Sequence, residues 1–128
     1  MSAAAWRNAY QAASVLGDTV EWAIKTQLGL FLDASPETWH VYAMVRAETK
    51  DNKISDTSAL TCGIYDNTNH QDISDNAIPL TTAVGKQYRR IDMGTHRLNS
   101  GMLIWFAPTR NPIVTKTYVD RIILIRER

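Results

Sequence analysis

Residues 118–128 restrict the fold more than any other stretch of the chain. They read Tyr118-Val119-Asp120-Arg121-Ile122-Ile123-Leu124-Ile125-Arg126-Glu127-Arg128. Four consecutive apolar residues follow one carboxylate and meet charge again at the end. A strand buried on both faces has this pattern, and an exposed tail does not. The chain is therefore expected to end inside its own core, with the fold complete only once this last strand is in place.

Composition sets the remaining bounds. A chain of 128 residues with 45% hydrophobic and 21% charged residues is ordinary globular material, and it reads as a single β-sandwich domain over residues 1–128. The longest apolar run falls well short of the roughly 18–20 residues a membrane helix needs, so no membrane partner is expected. The opening Met1-Ser2-Ala3-Ala4-Ala5 lacks a basic end followed by a long apolar run. It is not an intact secretion signal, although a leader or a whole preceding domain could equally have been removed. The one cysteine, Cys62, alternates with Leu60 and Ile64 and reads as a small core residue.

Charge is unevenly spread. Residues 1–85 carry five basic and ten acidic side chains and residues 86–128 carry nine and three, giving −5 and +6 and the net +1 of the whole chain. A basic patch for nucleic acid is one reading. The late basic residues are scattered singly through strand-like segments, however, so pairing of late strands with early ones accounts for the asymmetry without nucleic acid.

Period-two alternation dominates from residue 39 onward. Trp39, Val41, Ala43, Val45 and Ala47 fall on one side of a strand, and His40, Tyr42, Met44, Arg46 and Glu48 on the other. Further strands are expected at 60–66, 87–93, 102–107 and 117–125, and earlier ones at 19–26 and 29–32. Loop signals fill 33–36, 50–58, 66–79, 99–101 and 109–115. Seven or eight short strands with polar loops indicate an all-β antiparallel β-sandwich. The exception is 3–16, where Trp6, Ala9, Ala13 and Leu16 stand at helical spacing and alanine favours helix.

These elements resemble the jelly roll of galactose-binding-like β-sandwich domains. The likeness rests on Trp39-His40-Val41-Tyr42-Ala43-Met44-Val45-Arg46-Ala47, Gly63-Ile64-Tyr65-Asp66, Tyr88-Arg89-Arg90-Ile91-Asp92-Met93-Gly94, Gly101-Met102-Leu103-Ile104-Trp105-Phe106-Ala107-Pro108 and the closing strand. It covers roughly residues 39–128 and is a pattern of hydrophobicity. Such domains are often non-catalytic carbohydrate-binding modules or ancillary domains of secreted glycoside hydrolases. The resemblance thus implies a glycan partner and an extracellular parent protein. In the related carbohydrate-binding families six and thirty-five, a structural calcium commonly uses a last-strand acid together with glutamates of the first strand. Asp120 matches the last-strand position. The first strand, Asn8-Ala9-Tyr10-Gln11-Ala12-Ala13, lacks those glutamates, and calcium wants several carboxylates. An ion pair is the competing role for Asp120.

Sugar recognition needs flat rings and hydrogen-bonding side chains. Trp39, Trp105 and Trp22 lie in apolar patterns and read as core. By the resemblance, Tyr88 holds a place where an aromatic often stacks on sugar, and Asn111 one where an amide often contacts it. The run Asp66-Asn67-Thr68-Asn69-His70-Gln71-Asp72 offers Asn67 and Asn69, although its spacing matches no EF-hand. No catalytic set emerges. His40, His70 and His96 are isolated, with no His-x-x-x-His pair, and the serines lack a nucleophile elbow. Asp92 and Asp120 form a carboxylate pair only if the fold brings them together. The expectation is a non-enzymatic glycan-binding module. The alternative is a structural subunit that uses the apolar runs 102–107 and 122–125 to bind protein or to self-assemble, so oligomerisation stays open.

Overall fold

The computed structural model describes residues 3–13, by backbone alone, together with 24–55, 57–109 and 111–127. Among these residues the fold is two antiparallel four-stranded sheets. Eight strands run in chain order: β1 (Ala3–Ala13), β2 (Ile24–Gln27), β3 (Glu37–Thr49), β4 (Ser58–Asp66), β5 (Gln71–Pro79), β6 (Arg89–Leu98), β7 (Met102–Pro108) and β8 (Val114–Arg126). The front sheet has the order β1-β8-β3-β6 and the back sheet β2-β7-β4-β5.

This order is a rolled hairpin. β4 pairs with β5, β3 with β6, β2 with β7 and β1 with β8, nested about the turn at 67–70. Rolling that ribbon then lays β8 on β3 and β7 on β4. The result is the eight-stranded jelly roll expected from the strand pattern. Among the described residues, helix is limited to a four-residue turn, α1 (Leu80–Ala83), and two short 3₁₀ turns at Leu28–Leu30 and Lys50–Asn52.

Alternation fixes which face each strand buries. In β3 every second residue from Trp39 to Thr49 is buried, and the residues between are half-exposed. In β4, Leu60, Cys62 and Ile64 enter the core, and from β7 so do Met102, Ile104 and Phe106. Burial of each such aliphatic side chain stabilises by about 1.5–3 kcal/mol. Met102 to Pro108 are buried throughout. Leu103, Trp105 and Ala107 form a second apolar cluster with Tyr65, apart from the main core. The Trp105 ring lies over Gly63, where any Cβ would strike it. Trp39 and Trp105 are thus buried as expected, but only Trp39 belongs to the sandwich interior. Trp22 lies outside the described residues.

The closing strand runs between β1 and β3. Ile122 and Leu124 are core residues, whereas Ile123 is half-buried and Ile125 is 42% exposed. The expectation of two fully buried faces is corrected to one. The front sheet has core on a single side, as antiparallel sheets commonly do. The apolar runs 102–107 and 122–125 are mostly absorbed within the chain, which removes the reason for assigning them to an intersubunit contact.

One question left open by the sequence, whether 3–16 begins as helix or strand, is answered for 3–13, and two local expectations change. Residues 3–13 are strand, not helix: β1 pairs antiparallel with β8 from Ala3↔Ile125 to Ala13↔Lys116. Helix propensity differs by less than about 1 kcal/mol per residue, and sheet pairing satisfies a whole row of β8 backbone groups that would otherwise be left at an edge. Residues 71–79 are strand, not loop. β5 is the outer strand of the back sheet, and of its residues only Ile78 is fully buried, so a polar edge sequence hid the alternation. At 29–32 the chain turns instead of extending, because Phe31 N and Leu32 N both donate to Leu28 O.

Deleting residues 119–128 removes the partner of both β1 and β3. The truncated chain is expected to lose its near-UV dichroism and cooperative melting. A truncated protein with a native-like near-UV spectrum would contradict the central place of β8.

Candidate functional site

The outer face of the front sheet collects the side chains that β3 does not bury. Directly opposed residues of antiparallel strands share a face, so the strand registers extend His40, Tyr42, Met44, Arg46 and Glu48 sideways into cross-strand rungs. The first rung is Ile125–His40–Thr95, and the next is Ile123–Tyr42–Asp92. Arg121–Met44–Arg90 follows, then Tyr118–Arg46 and Lys116–Glu48.

Hydrogen bonds and ring contacts order this face. The His40 and Tyr42 rings are stacked, with centroids 4.4 Å apart and planes 10° from parallel. Arg90, at the register of Met44, lies over the Tyr42 ring at 5.0 Å. Tyr42 is therefore held between an imidazole and a guanidinium. His40 Nε2 is 2.7 Å from Asp92 Oδ1, and its Nδ1 is 3.6 Å from a Glu127 carboxylate oxygen. Asp92 Oδ1 also accepts from Gly94 N at 2.8 Å. Gly94 has φ +87°, a conformation that glycine adopts freely, at the irregularity in the β3–β6 register.

Two rungs further on, Arg46 lies between two tyrosines. Its guanidinium is 3.9 Å from the Tyr118 ring centroid and 5.7 Å from that of Tyr88. Nη1 donates to Glu48 Oε2 at 2.9 Å and to Gly85 O at 3.1 Å. With 17% of its side chain exposed, Arg46 ties the 84–88 segment to β3. Each cation–ring contact contributes about 0.5–2 kcal/mol.

The residues singled out by sequence fall into separate places. Tyr88 immediately precedes β6, half-buried beside Arg46, and so joins the front-sheet face. Asn111 is at the same end of the sandwich, where it braces loops. Its Nδ2 donates to Thr57 Oγ1 and Ser55 Oγ, and its Oδ1 accepts from Ile113 N. It also lines a depression of about 320 Å³ with Thr57, Ser58, Thr109 and Pro112. Asn67 and Asn69 are at the opposite end, in the β4–β5 turn. There Asp66 Oδ1 accepts from Thr68 N and Asn69 N, and Oδ2 accepts from Asn69 Nδ2 at 2.8 Å. Hydrogen bonding by the Asn69 side chain, more than any other cause, holds the Asp66 carboxyl below its ordinary range. The four residues therefore form no single site.

Asp120 pairs with its neighbour: Arg121 Nε donates to Asp120 Oδ2 at 3.1 Å. Among the described residues no group of three or more His, Cys, Asp or Glu gathers to hold a metal. All of β3 separates Asp120 from Asp92, so the two do not form a carboxylate pair. His70 lies 3.5 Å from Tyr65 in the back-sheet turn, and His96, opposite Trp39 on β6, bonds Met93 O. No described helix is long and apolar enough to cross a membrane. Sequence reading passed over His40, Tyr42, Arg46, Arg90 and Tyr118 as site residues. Their signal was present in the second face of β3, which sets aromatic and charged side chains at alternate positions.

No family model matches the chain, and no curated protein matches its sequence. Solved structures do match in fold. The Podospora anserina GH26-CBM35 β-(1,4)-mannanase aligns over 99% of this chain at 13% identity and a TM-score of 0.54. The CBM22-1 xylan-binding domain of Paenibacillus barcinonensis Xyn10C aligns over 98% at 9% identity and 0.53. Caldicellulosiruptor saccharolyticus CBM27-1, in complex with mannohexaose, aligns over 90% at 12% identity and 0.54. The chain has the fold of these β-sandwich modules. It spans 28% of the mannanase chain, but 85% and 73% of the two module chains.

The Gly94 amide, and next the His40 ring, hold the Asp92 carboxyl below its ordinary value of 3.8. A lowered folded value stabilises above the ordinary range, and that contribution is lost as pH falls through the lowered value. Asp92→Asn is therefore expected to lower Tm near neutrality and to flatten the acid limb of Tm against pH below about pH 4. Superimposable acid limbs would show that Asp92 adds nothing.

Burial, followed by the charge of Asp75, pushes the Cys62 thiol up to about 12. The folded protein is expected to resist a disulfide-forming thiol reagent and to react stoichiometrically once denatured. Rapid labelling of the native protein would contradict the core placement.

Proposed function

We propose that this chain is a non-catalytic carbohydrate-binding module of a secreted, glycan-active protein, and that its glycan site is the outer face of the front sheet. The observation that carries this reading is the ordered array on that face. His40, Tyr42, Asp92 and Arg90 form one connected group, and Tyr118, Arg46 and Tyr88 another, in neighbouring rungs of one sheet. Such a surface supplies what a pyranose needs. Ring edges meet its apolar C–H groups, and fixed donors and acceptors meet its hydroxyls. Because the ion pairs and cation–ring contacts already hold these groups, little side-chain entropy is lost on binding.

The fold supports the same reading, since solved modules of this architecture include one named as xylan-binding and one in complex with mannohexaose. A fold hosts many functions, so the assignment rests on the face itself. The absence of catalysis belongs to the proposal as well. The carboxylates of the face are each engaged, Asp92 by His40 and Gly94, Glu48 by Arg46 and Asp120 by Arg121. Asp92 and Glu127 flank the same ring, and the His40 imidazole fills the space between them. No calcium is required, and the Asp120 carboxylate acts as the partner of Arg121.

Isothermal titration against a panel of soluble polysaccharides, with and without calcium, tests the reading. Measurable binding is expected, unchanged by chelation. Tyr42→Ala and Tyr88→Ala are each expected to weaken it by about tenfold, about 1.4 kcal/mol, with native near-UV dichroism retained. Absence of binding to every polysaccharide would remove the proposal, and full affinity in both variants would move the site off this face.

A further inference from the structure

The registers place arginine repeatedly on one rung of the front sheet. Arg7 of β1 stands opposite Arg121 of β8. Arg121 in turn opposes Met44 of β3, and Met44 opposes Arg90 of β6. One rung thus crosses all four strands with arginine at three of its four positions. Arg121 and Arg90, two strand spacings or ~10 Å apart, gain nothing from each other.

We infer that this rung is a recognition track for an anionic polysaccharide, lying across the strands from β8 over Met44 to β6. The inference rests on the glycan-binding reading above and narrows it to a ligand class. Arg90 is exposed, and no carboxylate of the described residues lies within ion-pair distance of it. Asp120 engages Arg121 through Nε. Asp92, the nearest acid to Arg90 along β6, is itself engaged by His40 and by Gly94 N. The surplus extends along the face to Lys116, which is exposed and has no ion pair among the described residues.

The neighbouring rungs make the track directional. Tyr42 stands on one side of the Arg121–Met44–Arg90 rung, and Tyr118 with Arg46 on the other. Each lies one alternation away, ~6.6 Å along the strand. Met44, unbranched and flexible, forms the floor between them. A pyranose chain on this floor meets ring edges on both sides and a guanidinium at each end of a disaccharide-long span. The guanidinium fork matches a carboxylate or a sulfate in bidentate geometry, so the shared ligand chemistry is a polysaccharide bearing regularly spaced anions.

Affinity electrophoresis and titration with four probes test this: polygalacturonate, dextran sulfate, a neutral mannan and duplex DNA. At least one anionic polysaccharide is expected to bind tenfold or more tightly than mannan, with affinity falling as NaCl rises. Which of the two binds tells carboxylate from sulfate. Arg90→Gln and Arg121→Gln are each expected to reduce that binding fivefold or more, a larger loss than either causes on mannan, whereas Arg90→Lys retains part of it. Mannan binding with no preference for either anionic glycan overturns the inference and leaves the glycan-binding reading standing. Failure of all polysaccharides overturns both. DNA binding as tight as the best polysaccharide, with the same sensitivity to Arg90→Gln, overturns it in favour of a non-selective polyanion surface.

Discussion

The structure depends on one pairing constraint: β8 must satisfy two neighbours at once. It bonds β1 along one edge and β3 along the other, so its backbone has no free side. Neither neighbour can stand in for it. Without β8, β3 keeps only β6, and β1 keeps no partner in the front sheet. Because the ribbon is nested, closure by the last strand also brings the first described strand into register. The first and last described strands are thereby drawn into one sheet, and the loop-closure entropy between them is offset at this seam. The core residues Ile122 and Leu124 then pack against β3 and the back sheet.

How far the sequence discloses this depends on the strand. β3 is fully legible, since its alternation of Trp39, Val41, Ala43, Val45 and Ala47 with polar residues is what one buried face demands. β7 is legible as apolar but misleading as to where its second face goes. Trp105 is buried, yet its cluster with Leu103 and Ala107 lies outside the main core. β5 is illegible because an edge strand needs little apolar surface, and Asp72, Ser74, Asp75 and Asn76 read like a loop. β1 is illegible for the opposite reason. Its alanines carry a helical preference that only the pairing with β8 overrides.

The site was harder to read than the fold because its residues gain meaning from register. Tyr88 is conspicuous as a ring next to a strand start, and it adjoins Arg46 on the front-sheet face. Asn69 and Asn111 were conspicuous too, and their side-chain amides brace turns by bonding Asp66, Thr57 and the Ile113 N–H, while Asn67 bonds Gly101 O through its backbone N–H. Amide-rich loops advertise themselves in a sequence whether or not they bind anything. His40 and Asp92 are 52 positions apart, and nothing local in either segment signals that they meet. The same holds for Arg46 and Tyr118, joined only by the β3–β8 pairing.

The seam and the site are linked through Asp120. Opposite it, Met44 pairs with Arg121 and Val45 with Val119, so Asp120 is an extra residue in β8, a β-bulge. Core positions before the bulge are Thr117 and Val119, and after it Ile122 and Leu124, so the parity of the strand reverses there. Strict alternation from Val119 would have turned Arg121 inward and Ile122 outward. Burying an unpaired guanidinium costs several kcal/mol, and exposing the isoleucine forfeits about 1.5–3 kcal/mol. The bulge avoids both, and the adjacent Asp120 carboxylate takes the Arg121 Nε proton donor where the ladder is interrupted. One inserted residue therefore does two things. It keeps the closing strand's apolar residues in the core, and it delivers an arginine to the same outward rung as Met44 and Arg90. The pair of polar residues between Val119 and Ile122 is the point at which the strand that completes the core also begins to build the face.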